Sequence, residues 1–142
     1  MSAGYFLDTN VFVYSFGAGA PATARRATAL IRKALVTGQG VVSYQVVQEF
    51  FNVALRRFAR PMTISQAEDY LEAVFRPSLA VHSSPALYTA ALRLAGRGGL
   101  SWYDALIVAA AHEAQCDVLF SEDLQHGRRM GALEIRNPFL QS

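Results

Sequence analysis

Apolar residues fall along this chain in short blocks that alternate between two periods. Tyr5-Phe6-Leu7 is a brief apolar run of strand length, broken by Asp8-Thr9-Asn10. Val11 to Phe16 extends as strand or winds into helix by periodicity alone, and the polar break favours strand, then loop, then helix. Ala20-Pro21 opens a helix with proline in its first position, running through Arg25, Ala29, Ile31 and Leu35 to Gly38. Gly40-Val41-Val42-Ser43 predicts a second strand. After it Val46, Val47, Phe50, Phe51, Ala54 and Phe58 recur at helical spacing until Arg60-Pro61.

Thr63 and Gln66 have the spacing of a capping box for a helix through Tyr70, Leu71 and Phe75, ending at Arg76-Pro77. Leu79-Ala80-Val81 predicts a third strand. Ser84-Pro85 starts a helix that Gly96 and Gly98-Gly99 end. From Trp102 to Gln115 the pattern is apolar nearly all round, which predicts a buried central helix with the indole of Trp102 packed in the core. Asp117-Val118-Leu119-Phe120 and Leu133-Glu134-Ile135 predict the fourth and fifth strands. Strands alternating with helices imply a mainly parallel, doubly wound sheet of about five strands in an α/β fold. At 142 residues the chain is expected to form one domain, 1–142, around one core.

The acids stand out against this background. Only eleven exist, and Asp8, Glu49, Asp104 and Asp123 each lie just beyond or within an apolar run. In a parallel sheet the rim at the carboxyl ends of the strands is where ligands bind, and Asp8 and Asp123 both follow predicted strands. Asp104, in the first turn of the central helix, is placed to reach the same rim. A dry cluster of like charges is tolerable with bound cations, so this pattern points to a divalent metal site. Each acid also has a plainer reading. Asp8 can cap the helix after it, Ser101 and Asp104 have capping-box spacing, Glu49 can face solvent, and spacing does not choose between Glu122 and Asp123.

Composition sharpens the picture. Setting aside those four acids and Glu122 leaves 13 basic side chains against 6 acidic ones, which suits a polyanionic partner. Twelve of the basic residues are Arg, in pairs at Arg25-Arg26, Arg56-Arg57 and Arg128-Arg129, and Arg favours bidentate phosphate contact. Cys116 is alone and cannot form an internal disulfide. His82, His112 and His126 share no metal-ligand spacing, so an all-oxygen site for Mg²⁺ or Mn²⁺ is favoured over zinc. Gly17-Ala18-Gly19 lacks the spacing of a phosphate-binding loop. The longest apolar stretch, Ala105 to Ala111, is too short to span a bilayer, and the N-terminus has no signal-peptide pattern, so a cytoplasmic location is expected.

Four motifs in order carry a resemblance: Phe6-Leu7-Asp8-Thr9-Asn10, Ser43 to Phe50, Leu100 to Ala105 and Phe120 to Gly127. Together they resemble the PIN-domain ribonucleases, among them the VapC-type toxins of bacterial toxin–antitoxin pairs, over residues 4 to 139. The resemblance implies a three-layer α/β/α PIN-like fold. It implies an acidic site of Asp8, Glu49, Asp104 and Asp123 holding Mg²⁺ or Mn²⁺, supported by Asn10 and Ser121. It further implies hydrolysis of single-stranded or looped RNA to a 3′-hydroxyl and a 5′-phosphate, neutralisation by a cognate antitoxin, and a homodimer. The reading from another class is an inactive PIN-like nucleic-acid-binding or scaffold domain whose acids are caps and surface charges.

Overall fold

The computed structural model describes residues 4–140, so the outermost positions of the expected domain, 1–3 and 141–142, lie outside the described residues. Its centre is a six-stranded sheet. The strands are β1 (Tyr5–Leu7), β2 (Gly40–Ser43), β3 (Leu79–Val81), β4 (Val118–Phe120), β5 (Arg129–Met130) and β6 (Leu133–Arg136), in the order β3-β2-β1-β4-β6-β5. All pairings are parallel except that of β5 with β6. The chain builds outward from β1 to β2 and β3, then crosses to β1's other edge with β4, so strand order reverses between β1 and β4.

Sequence patterning anticipates five of these strands and misses β5. That strand has two residues, neither fully buried, and it forms only because the turn at Gly131 folds it back on β6. A segment so short carries no alternation to detect.

The helices are α1 (Thr9–Tyr14), α2 (Pro21–Thr37), α3 (Tyr44–Ala54), α4 (Ile64–Tyr70), a short α5 (Arg76–Ser78), α6 (Pro85–Gly98) and α7 (Trp102–Glu113). The polar break at residues 8–10 resolves the ambiguity of the following segment in favour of helix. Asp8 is the N-cap of α1, its side chain accepting the Thr9 N–H. The capping box of Thr63 and Gln66 is present in both directions. A wide π-helical turn over Leu71–Phe75 joins α4 to α5, so helical structure runs past Arg76-Pro77.

α3 ends at Ala54 rather than at Arg60-Pro61. The chain turns there because the Arg57 N–H bonds back to Val53 O and the Met62 N–H bonds to Ala54 O, while the Phe58 ring packs on Phe16 and Phe50. Burying a large ring among others repays the loss of one helical turn.

One apolar cluster joins Phe6, Leu7, Val42, Leu119 and Ile135 of the sheet to Phe12, Phe50, Phe75 and the unbroken run Ala105–Ala111 of α7. Over Ala105–Ala111 α7 is buried on every side, and it packs against β2 and β4. α2 lies against β2 so closely that a Cβ on Gly40 would sit 2.3 Å from the Cβ of Ala34. Among the described residues no helix is long and apolar enough to cross a membrane.

Candidate acidic site at the carboxyl ends of the strands

Where β1 and β4 end side by side, the sheet rim gathers the polar residues that the sequence singled out. The Asp8 N–H still continues the ladder, donating to Phe120 O at 3.0 Å, but its side chain leaves the sheet. That carboxylate is 5% exposed. Its Oδ1 accepts the Thr9 N–H at 2.7 Å, and its Oδ2 accepts the Ser121 hydroxyl at 2.8 Å. Ser121 is itself fully buried, and its Oγ accepts the Asp123 N–H at 3.2 Å. One hydroxyl thus ties the first acid to the backbone of the last.

Burial pushes the Asp8 pKa up to about 6. The two hydrogen bonds to the carboxylate oppose that shift, and the negative charges of Asp123 and Glu49 add to it. Asp123 stands at the exposed rim, with its carboxylate tucked far enough in that desolvation raises its pKa; the nearby charges of Asp104 and Glu122 raise it further. Asn10 offsets part of this, its Nδ2 lying 3.1 Å from each Asp123 oxygen.

Glu49 approaches from α3. Its Oε1 accepts the Thr9 hydroxyl at 2.6 Å and its Oε2 accepts Gln45 Nε2 at 3.2 Å. The same Gln45 amide reaches the carbonyl of Tyr103 at 3.2 Å, linking α3 to the first turn of α7, where Asp104 lies half-buried. The Asp104 N–H is capped by Ser101 Oγ at 3.3 Å. The plainer readings of Asp8 and of the Ser101–Asp104 pair are therefore true as far as they go: Asp8 caps a helix while facing the other acids, and Asp104 lies in a capped first turn while its charge acts on Asp123.

Asp8 thus feels the charges of Asp123 and Glu49, and Asp123 those of Asp104 and Glu49, with Asn10 and Ser121 bonded to Asp123 and Asp8. Glu122 turns to α1 instead, accepting a hydrogen bond from Tyr14 OH, which pushes the Tyr14 pKa up to about 12. Two residues missing from the sequence reading are Gln45 and Tyr14. Each lies four positions along its helix from a residue already picked out, Glu49 and Asn10, and that spacing places them on one helical face.

Among the described residues no three His, Cys, Asp or Glu side chains are drawn together closely enough to hold a metal ion as they stand. The donor chemistry nonetheless fits a hard divalent cation: every acid offers oxygen, and neighbouring carboxylates help to raise the pKa of Asp8 and of Asp123 in a partly dry rim. The histidines take no part. His112 Nε2 lies 2.8 Å from Met130 O, His126 Nδ1 accepts the Asn137 N–H, and His82 packs on Tyr44. Cys116 is buried, its thiol pushed up to about 11 by desolvation.

An α/β protein with a parallel sheet, a strand-order reversal and an acidic rim at that reversal defines a class with many chemistries. The sequence narrows it, matching the PIN domain over residues 5–130, and the chain belongs to the PIN domain family. No curated protein matches it.

Solved structures share the fold at low identity. A toxin–antitoxin complex from Klebsiella pneumoniae aligns with a TM-score of 0.66 at 19% identity, over 97% of this chain and 98% of that one. VapC20 of Mycobacterium tuberculosis, a toxin that cleaves the sarcin–ricin loop, aligns at 0.57 and 19% identity, over 84% and 92%. VapBC2 of Rickettsia felis, bound to a promoter DNA fragment, aligns at 0.61 and 17% identity, over 94% and 97%.

Proposed function

We propose that this chain is a single PIN domain acting as a Mg²⁺- or Mn²⁺-dependent endoribonuclease toxin, neutralised in the cytoplasm by a cognate antitoxin. The single observation that carries the proposal is a chain of acids from four separate elements, in which Asp123 and Glu49 act on the buried Asp8 and Asp104 and Glu49 act on Asp123. Asp8, Asp104 and Asp123 would hold the cation, with Glu49 as a further ligand or as a base. The bound ion supplies an acidified water and charge stabilisation for the leaving oxygen.

The chain's own residues do the rest. Ser121 and the Thr9 N–H fix both oxygens of Asp8, and Asn10 holds Asp123 at the rim. Thr9 and Gln45 aim Glu49, which takes the proton of the attacking water as the P–O3′ bond breaks. The leaving O3′ takes a proton from solvent, so the products are a 3′-hydroxyl and a 5′-phosphate. Unstacked RNA is the favoured substrate, because exposed bases suit aromatic and arginine-bearing surfaces.

The partner reading is supported by an apolar groove of about 810 Å³ away from the acids. Val13, Phe16, Val53, Phe58 and Tyr70 line it, and Arg57 and Arg60 stand among them. An amphipathic antitoxin helix with an acidic flank suits that lining. The chain is proposed to work as a homodimer, in line with its resemblance to the toxins.

Cleavage of total cellular RNA by purified protein tests the activity, run with Mn²⁺ or Mg²⁺, with chelator, and with Asp8→Asn and Asp104→Asn variants. Discrete fragments requiring both metal and acids are the expected result. An Asp8→Asn protein that cuts RNA as well as the parent rejects the reading. The neutral donors already engaging Asp8, Glu49 and Asp123 favour a second reading, an inactive nucleic-acid-binding scaffold, for which Mn²⁺ calorimetry would show no acid-dependent binding.

A further inference from the structure

Beside the acidic site, and separated from it by one side chain, lies a second cleft of about 400 Å³ between the start of α3, α6 and the start of α7. Its walls are aromatic. Tyr44, Tyr88, Trp102 and Tyr103 all line it, and Tyr88 and Trp102 meet with ring centroids 5.9 Å apart. The core does not hold these rings: Trp102 is 36% exposed, Tyr88 43% and Tyr103 62%. Trp102 escapes the burial expected for it because it is the first residue of α7, one turn before the helix enters the core at Ala105. Three exposed aromatic rings converging on one cleft are an unusual expenditure of apolar surface in so small a chain.

The polar groups of the cleft are as informative. Gln45 and Gln48 present amides there, and Ser43 forms part of the lining. Ser43 Oγ is a buried side-chain atom with no hydrogen-bond partner among the described residues, at the N-cap position of α3, where it makes no capping bond. Buried hydroxyls are normally satisfied, so this orphan marks an unmet polar group just behind the cleft wall. Gln45 is the dividing side chain. It lines the cleft while its Nε2 holds Glu49 Oε2 and the Tyr103 carbonyl.

We infer that this cleft is a nucleobase subsite: an unstacked base of the RNA strand, next to the phosphate addressed by the acids, stacks on the exposed rings there. This rests on the endoribonuclease reading and adds where a neighbouring base goes. Flat aromatic rings with amide edges suit a nucleobase, which has π faces for stacking and donors and acceptors around its rim. The position of Gln45 gives the subsite a consequence for chemistry. A base that hydrogen-bonds the Gln45 amide shifts the group that aims Glu49, so occupancy of the cleft and orientation of the acid are linked.

Trp102 is the sole tryptophan of the chain and stands in the cleft wall, so its fluorescence reports occupancy directly. The experiment titrates the full chain, in chelator so that nothing is cut, with four homopolymeric RNA hexamers and with an abasic ribose-phosphate hexamer of the same charge. The expected result is a saturable change in Trp102 emission with at least one base-bearing hexamer and none with the abasic strand. Tyr103→Ala and Tyr88→Ala should each weaken that hexamer's binding roughly fivefold or more.

An equal response to the abasic strand, no response to any hexamer, or unchanged affinity in both variants overturns the inference. So does a Tyr88→Ala chain that changes oligomeric state with hexamer affinity intact, since that assigns the cleft to a second copy of the protein. Because the assay contains no active metal, it separates the two claims. Base-dependent binding without any RNA cleavage in Mn²⁺ rejects the nuclease alone, and cleavage without base-dependent binding rejects the subsite alone.

Discussion

Asn10 grips Asp123 with one amide nitrogen placed 3.1 Å from each carboxylate oxygen. The two residues come from opposite ends of the chain, one in the first turn of α1 and the other just past β4. This contact holds the exposed acid of the site toward the buried one, because α1 is itself capped by Asp8.

Asn10→Ala should therefore leave the fold intact and release Asp123 to solvent. Losing a group that orients a ligand typically lowers metal affinity or activity 10- to 100-fold, and about that drop is expected in Mn²⁺ titrations and RNA cleavage. Asn10→Asp should be worse, because it sets two like charges face to face. An unchanged Mn²⁺ affinity in Asn10→Ala would show that the contact has no part in organising the site.

Asp8 gives a pH dependence of defined sign. Its folded pKa of about 6 lies above the ordinary aspartate value of 3.8, so the folded chain holds the proton more tightly than the unfolded one. The metal-free protein should be favoured below pH 4 by this group and lose that contribution as pH rises through about 6, on the order of 3 kcal/mol in all. Melting temperatures measured in chelator should fall across that window, and Asp8→Asn should flatten the fall and melt higher at pH 8. Added Mn²⁺ should restore stability to the parent at pH 8 and not to Asp8→Asn.

Gln45 offers a test inside the acidic rim itself. Gln45→Glu places a carboxylate where an amide now donates to Glu49 and to the Tyr103 carbonyl. Two acceptors lose their donor and a charge is added against them, at a cost of roughly 1–3 kcal/mol. Denaturant midpoints should show that loss, and cleavage should fall with it. Gln45→Met, of similar length and without charge, removes the repulsion but leaves both acceptors without their donor, so it should recover part of the stability and little of the activity.

The close approach of α2 to the sheet predicts that Gly40→Ala is poorly tolerated. The new methyl would lie 2.3 Å from the Ala34 Cβ, so strand or helix must move. Overpacking of this kind costs typically about 1–3 kcal/mol, read from urea unfolding. The paired Ala34→Gly change in the Gly40→Ala background should recover part of the loss.

How far the sequence carries such detail depends on the range of the forces involved. Asp8 stood out because it ends the apolar run of β1 and its cap geometry is local, whereas Asn10 and Ser121 entered as supporting residues through the family resemblance of their motifs. The contact of Gln45 with Glu49 is a four-residue step on one helical face, but its bond to the Tyr103 carbonyl was not legible, since it forms only once α7 packs beside α3. The exposure of Trp102 escaped for the opposite reason. The apolar pattern of α7 continues to its first residue, but the core begins at Ala105, and only packing fixes where a core stops. The strand β5 exists through its pairing with β6 alone, so nothing in residues 129–130 announces it.

The hydroxyl of Ser121 reaches across 113 positions of sequence to the carboxylate of Asp8, and the backbone of β1 pairs with that of β4 at the same place. A chain interrupted between Asp104 and Val118 therefore carries Asp8, Glu49 and Asp104 yet lacks both the strand that sets β1 at the centre of its sheet and the group that steadies its first acid. Synthesis must run almost to the end before the site exists at all. For a protein whose proposed target is RNA, that order of assembly keeps each growing chain harmless to the machinery still making it.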